Sequence, residues 1–235
     1  MTLENTNFTP VEVAERRPSP LSPSQLVDLY FRPKKYFSNT HDLDHQSALF
    51  ISAGLMGIAG AMGRIDKKII QAELGHASKG WESTASWLLS SWLNYWLVVV
   101  AAGLIGAVFL WYIGGWWYKV RLNWSGAVEP SSILARRVYT LQELVLAGPT
   151  VLLTLIQTAL FSNYLEAWRA DEFWSSSILL FAFWSCWTSY VAVTTTFQVS
   201  KLKARIWFLV LPILLYVVVL GVIGTLYSIF GGNTV

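Results

Sequence analysis

Long uncharged runs dominate the pattern of hydrophobic and polar positions along this 235-residue chain. One of them extends from Trp87 to Ile113, inside an uncharged window from Ser83 to Tyr118. A helix rises about 1.5 Å per residue, so about 20 apolar residues cross a hydrocarbon core about 30 Å thick. The run is therefore predicted to be a membrane-spanning helix.

Four further runs have the same character, and together they predict an all-α fold, a five-helix transmembrane bundle. The predicted spans are about 47–63, 87–113, 144–162, 174–195 and 206–229. Composition agrees, because 54% of the residues are hydrophobic and 13% are charged, whereas charged residues make up about a quarter of a soluble domain. The chain is therefore interpreted as a polytopic membrane protein.

The segments around the spans divide the chain further. Residues 1–25 are rich in proline and lack an apolar core, which predicts a disordered cytoplasmic tail. Residues 26–46 alternate apolar and basic side chains, as expected of an amphipathic juxtamembrane segment in the headgroup layer. Residues 47–230 are predicted to form the membrane domain, in which the segment 64–80 is predicted to be a short amphipathic surface helix.

Small residues in the first span predict a close helix contact. Association in lipid depends on packing, so small residues at four-residue spacing allow two helices to approach. The alternative is that glycine is simply common in membrane helices. Pro149 is expected to kink the third span. The predicted helix-packing residues are Gly54, Gly57, Gly60, Ala61 and Pro149.

Basic residues predict the orientation, because cytoplasmic loops are enriched in lysine and arginine. With the amino terminus inside, twelve basic residues lie on the cytoplasmic side and five lie outside, which favours N-in and C-out. The five outside are Arg64, Lys67, Lys68, Lys79 and Arg169.

Few patterns in the chain indicate chemistry. The formal charge of +3 is small and dispersed, so no nucleic acid partner is expected, and a lone Cys186 allows no intrachain disulfide. His41 and His45 have the spacing of a helical metal pair, but Asp42 stands where a zinc protease carries glutamate. A polar cap ahead of the first span is the alternative, and no metal or cofactor is predicted.

The order of segments carries a resemblance. The chain has RPKKYF before the first span, an aromatic exit with glycines after the second, and ARRVYTLQELVLAGP at the third of five spans. In this order it resembles the Yip family of Ypt/Rab-interacting integral membrane proteins, most closely the bacterial branch, over about residues 26–230. Asp28, Leu29 and Tyr30 match a DLY element, but Phe31 replaces the following glycine, which argues against a Rab-type partner.

The resemblance implies a non-enzymatic helical bundle that organises membranes or binds partners or lipids. Its expected location is the bacterial inner membrane, or a Golgi or endoplasmic reticulum membrane in a eukaryote. The bilayer itself and a membrane-protein partner or second copy are the expected partners.

The residues themselves support a non-enzymatic protein. No predicted span has a carboxylate or lysine in its middle, whereas pumps and coupled transporters use such groups as relays. No nucleophile with a base appears at a usable spacing, so no catalytic residue is predicted. The alternative is a transporter or channel for a neutral or lipidic solute, lined by Asn94, Gln157 and hydroxyl groups.

The predicted functional face is cytoplasmic. Arg136 and Arg137 are expected to lie in a short helix of the connector before the third span, and guanidinium groups recognise phosphate or carboxylate in a geometry that lysine cannot copy. The candidate partner or lipid contacts are Arg32, Lys34, Lys35, Arg136, Arg137 and Tyr139.

Overall fold

The computed structural model describes residues 19–38, 43–170 and 173–230, and no described residue forms a β-strand. The fold is a bundle of helices connected by short turns. The helices are α1 (Pro23–Phe31), α2 (Pro33–Ser38), α3 (Gln46–Glu73), α4 (Trp81–Leu89), α5 (Trp92–Phe109), α6 (Gly115–Trp124), α7 (Ser132–Leu160), α8 (Tyr164–Arg169), α9 (Phe173–Thr196), α10 (Lys201–Arg205) and α11 (Leu211–Phe230).

Five helices in the described part are long and apolar enough to cross a membrane, which confirms the predicted class and number of candidate spans. A π-helical segment, Leu110–Gly114, joins α5 to α6. Together they form one helix of 33 residues, Trp92–Trp124, about 50 Å long. Another π-helical segment, Ile206–Val210, joins α10 to α11.

Each candidate helix extends beyond its predicted span at one end at least. The second span does not begin at Trp87, because α4 ends at Leu89 and Ser91 caps a new helix that begins at Trp92. The third span ends at Leu160.

Residues 64–73 do not form a separate surface helix, because α3 continues through them, with Ile65 and Ile69 buried against the bundle. Residues 132–143 likewise form no separate connector helix, because α7 begins at Ser132 and continues to Leu160. In both segments an apolar stripe packs inside the bundle, so the helix continues where the hydrophobic run stops.

The centre of the bundle is α7. It packs against α3, α6 and α9, while α3 also packs along α5, and α11 lies at the periphery beside α9. One hydrophobic cluster fills the half that contains α6, the start of α7 and the end of α9, and includes Tyr118, Val138 and Phe208. This half is called the basic end below. A second cluster fills the opposite half, around Tyr95 and Val99.

The N-terminal segment docks onto the basic end. Residues 1–18 of the predicted tail and the junction 39–42 lie outside the described residues, but helix α1 already begins at Pro23. Leu29 and Phe37 are fully buried, and α2 packs on α9. Part of the apolar surface of the predicted amphipathic segment is therefore covered by protein.

Aromatic side chains close the opposite end of the bundle. The Tyr164 hydroxyl donates a hydrogen bond to Asp66, and its ring stacks on Tyr95 with centroids 4.2 Å apart. The Trp92 indole donates to the Phe161 carbonyl at 2.7 Å. These bonds connect the end of α3, the start of α5 and the loop after α7.

Candidate functional site

A groove of about 420 Å³ lies between the first half of α3 and the helix formed by α5 and α6, and the start of α7 closes its basic end. This volume falls in the range of small-molecule sites. Apolar side chains and small residues line most of it. Its walls are Leu49, Phe50, Ala53, Gly54, Leu104, Ala107, Val108, Trp111, Tyr112 and Ile133.

Glycines determine where α3 and α5 are in contact and where a space remains between them. A Cβ atom built on Gly57 would lie 2.7 Å from the Ala107 amide nitrogen, so these backbones are in direct contact. One turn earlier, a Cβ on Gly54 would meet nothing within 4 Å. The prediction that Gly54 packs against another helix is therefore wrong. Gly54 lines the groove instead.

The other predicted packing residues have varied positions. A Cβ on Gly60 would lie 3.4 Å from Leu110 Cδ1, which is a close contact with a movable side chain. Ala61 is buried in the cluster at the opposite end. Pro149 lies inside α7, which continues through it.

One ion pair lies at the mouth of the groove. Arg137 Nη2 of α7 is 2.6 Å from Asp44 Oδ1, just ahead of α3, and both residues line the groove. The Arg137 side chain is 24% exposed and that of Asp44 is 57% exposed. The mouth therefore presents one cation and one anion side by side, at the edge of an apolar surface.

Arg136 and Tyr139 lie on another face of α7. They pack against the glycine pair at the junction of the π-helical segment and α6, Arg136 against Gly115 and Tyr139 against Gly114. The Arg136 guanidinium carbon is 4.8 Å from the centre of the Tyr112 ring. The structure thus separates the two adjacent arginines, since only Arg137 reaches the groove.

The basic residues of the N-terminal segment are also separated. Lys35 Nζ is 2.7 Å from Asp28 Oδ2, whereas Arg32 and Lys34 line a second hollow together with Lys201. This hollow lies between the turn that joins α1 to α2 and the second half of α9.

Two cross-bundle hydrogen bonds hold this turn. The Tyr30 hydroxyl donates to the Leu144 carbonyl at 2.9 Å, and the Trp184 indole donates to the Tyr30 carbonyl at 2.8 Å. Burial raises the pKa of Tyr30 to about 12, so its hydroxyl stays protonated and can act as the hydrogen-bond donor. The turn is therefore fixed to both α7 and α9.

Sequence reasoning missed a polar cluster at the basic end. Glu143 directly precedes the predicted span 144–162, but it lies inside α7 because that helix begins at Ser132. Its carboxylate accepts a hydrogen bond from Gln142 at 2.7 Å and interacts electrostatically with Arg121 of α6. The Arg121 guanidinium carbon lies 4.6 Å from the Phe208 ring centre. Glu143 and Arg121 therefore interact inside the bundle.

The residues proposed for a solute path lie outside the groove. The Asn94 amide donates to the Trp87 carbonyl at 2.9 Å, and Gln157 is buried in α7. Neither residue lines the groove.

The metal hypothesis lacks a described set of ligands. His41 and Asp42 lie outside the described residues, and His45 Nδ1 is 3.0 Å from Ser47 Oγ. Within the described ranges, no group of three or more His, Cys, Asp or Glu side chains could hold a metal ion.

The fold and the groove define a helical bundle of the kind found in multi-pass membrane proteins. No protein-family model, curated protein or solved structure matches the chain. Function is therefore argued from the geometry of the groove.

Proposed function

We propose that this is a non-enzymatic integral membrane protein of Yip type that binds a phospholipid and acts as a membrane-organising scaffold. The observation that carries the proposal is the apolar groove that ends at the Arg137–Asp44 pair. The order of segments in the chain supports the Yip resemblance, and the basic end supports a bacterial cytoplasmic membrane as the location.

The groove matches a phospholipid in both of its parts. Its apolar wall suits an acyl chain. Arg137 can bind phosphate through two nitrogens, while the Asp44 carboxylate can bind an ammonium group. Tyr112 in the groove wall and Trp116 one turn further along the same helix are more than half exposed, as in the aromatic belt at headgroup level. A zwitterionic phospholipid such as phosphatidylethanolamine therefore fits the groove.

A variant that fills the groove provides the test. Gly54→Leu should lower crosslinking of a photoreactive phosphatidylethanolamine to the purified protein in nanodiscs, because the new side chain occupies space beside Ala53 and Phe50. Gly63→Leu is the matched control, because a Cβ there also meets nothing within 4 Å and Gly63 does not line the groove. Equal crosslinking of the parent and Gly54→Leu would refute the proposed site.

The headgroup contact is tested separately. Arg137→Lys keeps the charge but loses the paired geometry, so we expect about a tenfold loss of phosphatidylethanolamine crosslinking. Arg205→Lys should leave lipid crosslinking unchanged, because Arg205 is exposed on α10 and does not line the groove. If the two variants lose lipid equally, the proposed role of Arg137 is wrong.

The orientation is part of the proposal, with the basic end in the cytoplasm. Five spans with the amino terminus inside place the carboxyl terminus outside. A reporter that is active only outside the cytoplasm should therefore work when fused after Val235 and fail at Met1. Activity at both ends would require an even number of spans and would exclude this topology.

A transporter for a neutral solute is the alternative function. It has less support, because neither Asn94 nor Gln157 lines the groove. Solute uptake by liposomes that contain the purified protein would favour this alternative over a scaffold.

A further inference from the structure

The second hollow, called the basic hollow below, has a volume of about 620 Å³ and a different chemistry from the groove. Arg32 lines it from the turn between α1 and α2, Lys34 from the start of α2, and Lys201 from the start of α10. The second half of α9 forms its wall, where Tyr190 and Thr195 contribute hydroxyl groups. Three positive charges from two distant parts of the sequence therefore meet at one site.

The backbone that carries Arg32 and Lys34 is held in place before any ligand arrives. The backbone on either side of the turn is anchored by the fully buried Leu29 and Phe37. Trp184 and Thr196 of α9 donate hydrogen bonds to carbonyls of the segment, to Tyr30 at 2.8 Å and to Phe37 at 3.4 Å. A ligand would thus bind without ordering the backbone, which lowers the entropic cost of binding.

No carboxylate lines the basic hollow within the part of the chain that the structure describes. Lys35, the neighbouring cation, shows the contrast, because Asp28 neutralises it at 2.7 Å. The groove also differs from the basic hollow, since Asp44 lies beside Arg137 at the mouth of the groove. The groove is therefore suited to a zwitterionic ligand, whereas the basic hollow is suited to a ligand with net negative charge.

We propose that the basic hollow binds the phosphate-bearing headgroup of an anionic phospholipid. Apolar groups beside the cations favour a lipid over a soluble phosphate. Phe31 and Val27 of α1 are 74% and 56% exposed, and Trp187 and Val191 form part of the wall. Such side chains enter the acyl region while neighbouring basic groups hold the headgroup at the surface. This site is separate from the groove and does not depend on it.

The test compares lipid retention in two triple variants. Full-length protein is reconstituted in phosphatidylcholine nanodiscs with or without phosphatidylglycerol, and retained lipids are measured by native mass spectrometry. Arg32→Gln, Lys34→Gln and Lys201→Gln together should weaken phosphatidylglycerol retention by on the order of a hundredfold. Arg64→Gln, Lys67→Gln and Lys79→Gln together remove the same residue types at the opposite end and should leave retention unchanged.

The outcomes separate this proposal from its alternatives. Equal retention by the parent and the first triple variant, or an equal loss in both triple variants, would overturn it. Displacement of phosphatidylglycerol by water-soluble glycerophosphate at matching concentration would also overturn it, because the ligand would then be a soluble phosphate. If the first triple variant does not fold, the single variants Arg32→Gln and Lys201→Gln take its place, and each should weaken retention. Arg137→Lys should leave phosphatidylglycerol retention unchanged, so a failure in the groove can be told from a failure here.

Discussion

Replacing Gly57 by leucine should destabilise the bundle by about 1–3 kcal/mol and reduce the yield of folded protein. A Cβ at this position would lie 2.7 Å from the Ala107 amide nitrogen and closer still to the Gly103 carbonyl oxygen. Both are backbone atoms, which cannot move aside as the end of a side chain can. Helices α3 and α5 would therefore have to separate along their contact.

Separation is costly because helices in lipid associate mainly through close packing, with no gain from burying apolar surface. The facing residue gives a second test of the same contact. A Cβ on Gly103 would lie 2.8 Å from Ile58 Cα. Gly103→Leu should therefore destabilise the bundle by a similar amount, and the double variant should cost less than the sum, since the first change already separates the helices.

Thermal denaturation in detergent measures these effects. Gly63→Leu in the same helix is the control and should melt like the parent, because a Cβ at Gly63 meets nothing within 4 Å. If Gly57→Leu also melts like the parent, Gly57 faces lipid and the α3–α5 contact is wrong.

The number of candidate spans could be predicted because it depends on a coarse property, the length of uncharged apolar runs. The ends of the helices could not. Hydropathy shows where the sequence stops being uniformly apolar. A helix can continue beyond that point as long as one line of apolar side chains on its surface still packs against the bundle. In α7 that stripe is Ala135, Val138 and Leu141, all fully buried ahead of the predicted third span.

The residue types of the groove could be predicted, but their grouping could not. Arg136 and Arg137 are adjacent in the sequence, yet neighbouring positions on an α-helix are about 100° apart, so they face different surroundings. The partner of Arg137 is Asp44, from a distant segment, and the partner of Arg136 is Gly115. Such pairs are determined by how α3, α6 and α7 pack, which no local pattern reveals.

Replacing Gly115 by leucine should have the second large effect, again about 1–3 kcal/mol. A Cβ there would lie 3.1 Å from Arg136 Cβ and 3.2 Å from Arg136 Cα, with Arg136 Cγ nearer still. The contact involves the backbone of α7, so rotation of the arginine side chain cannot relieve it. The start of α7 would have to move away from α6.

This movement should also reach the groove, because Arg137 follows Arg136 directly and lines the mouth. We therefore expect Gly115→Leu to lower both the melting temperature and the crosslinking of phosphatidylethanolamine, whereas Gly54→Leu should lower only the crosslinking. Gly221→Leu in α11 is the control, since a Cβ there meets nothing within 4 Å, and both of its values should match the parent. A Gly115→Leu variant that loses stability but crosslinks the lipid normally would show that the mouth of the groove does not depend on the packing of α6 against α7.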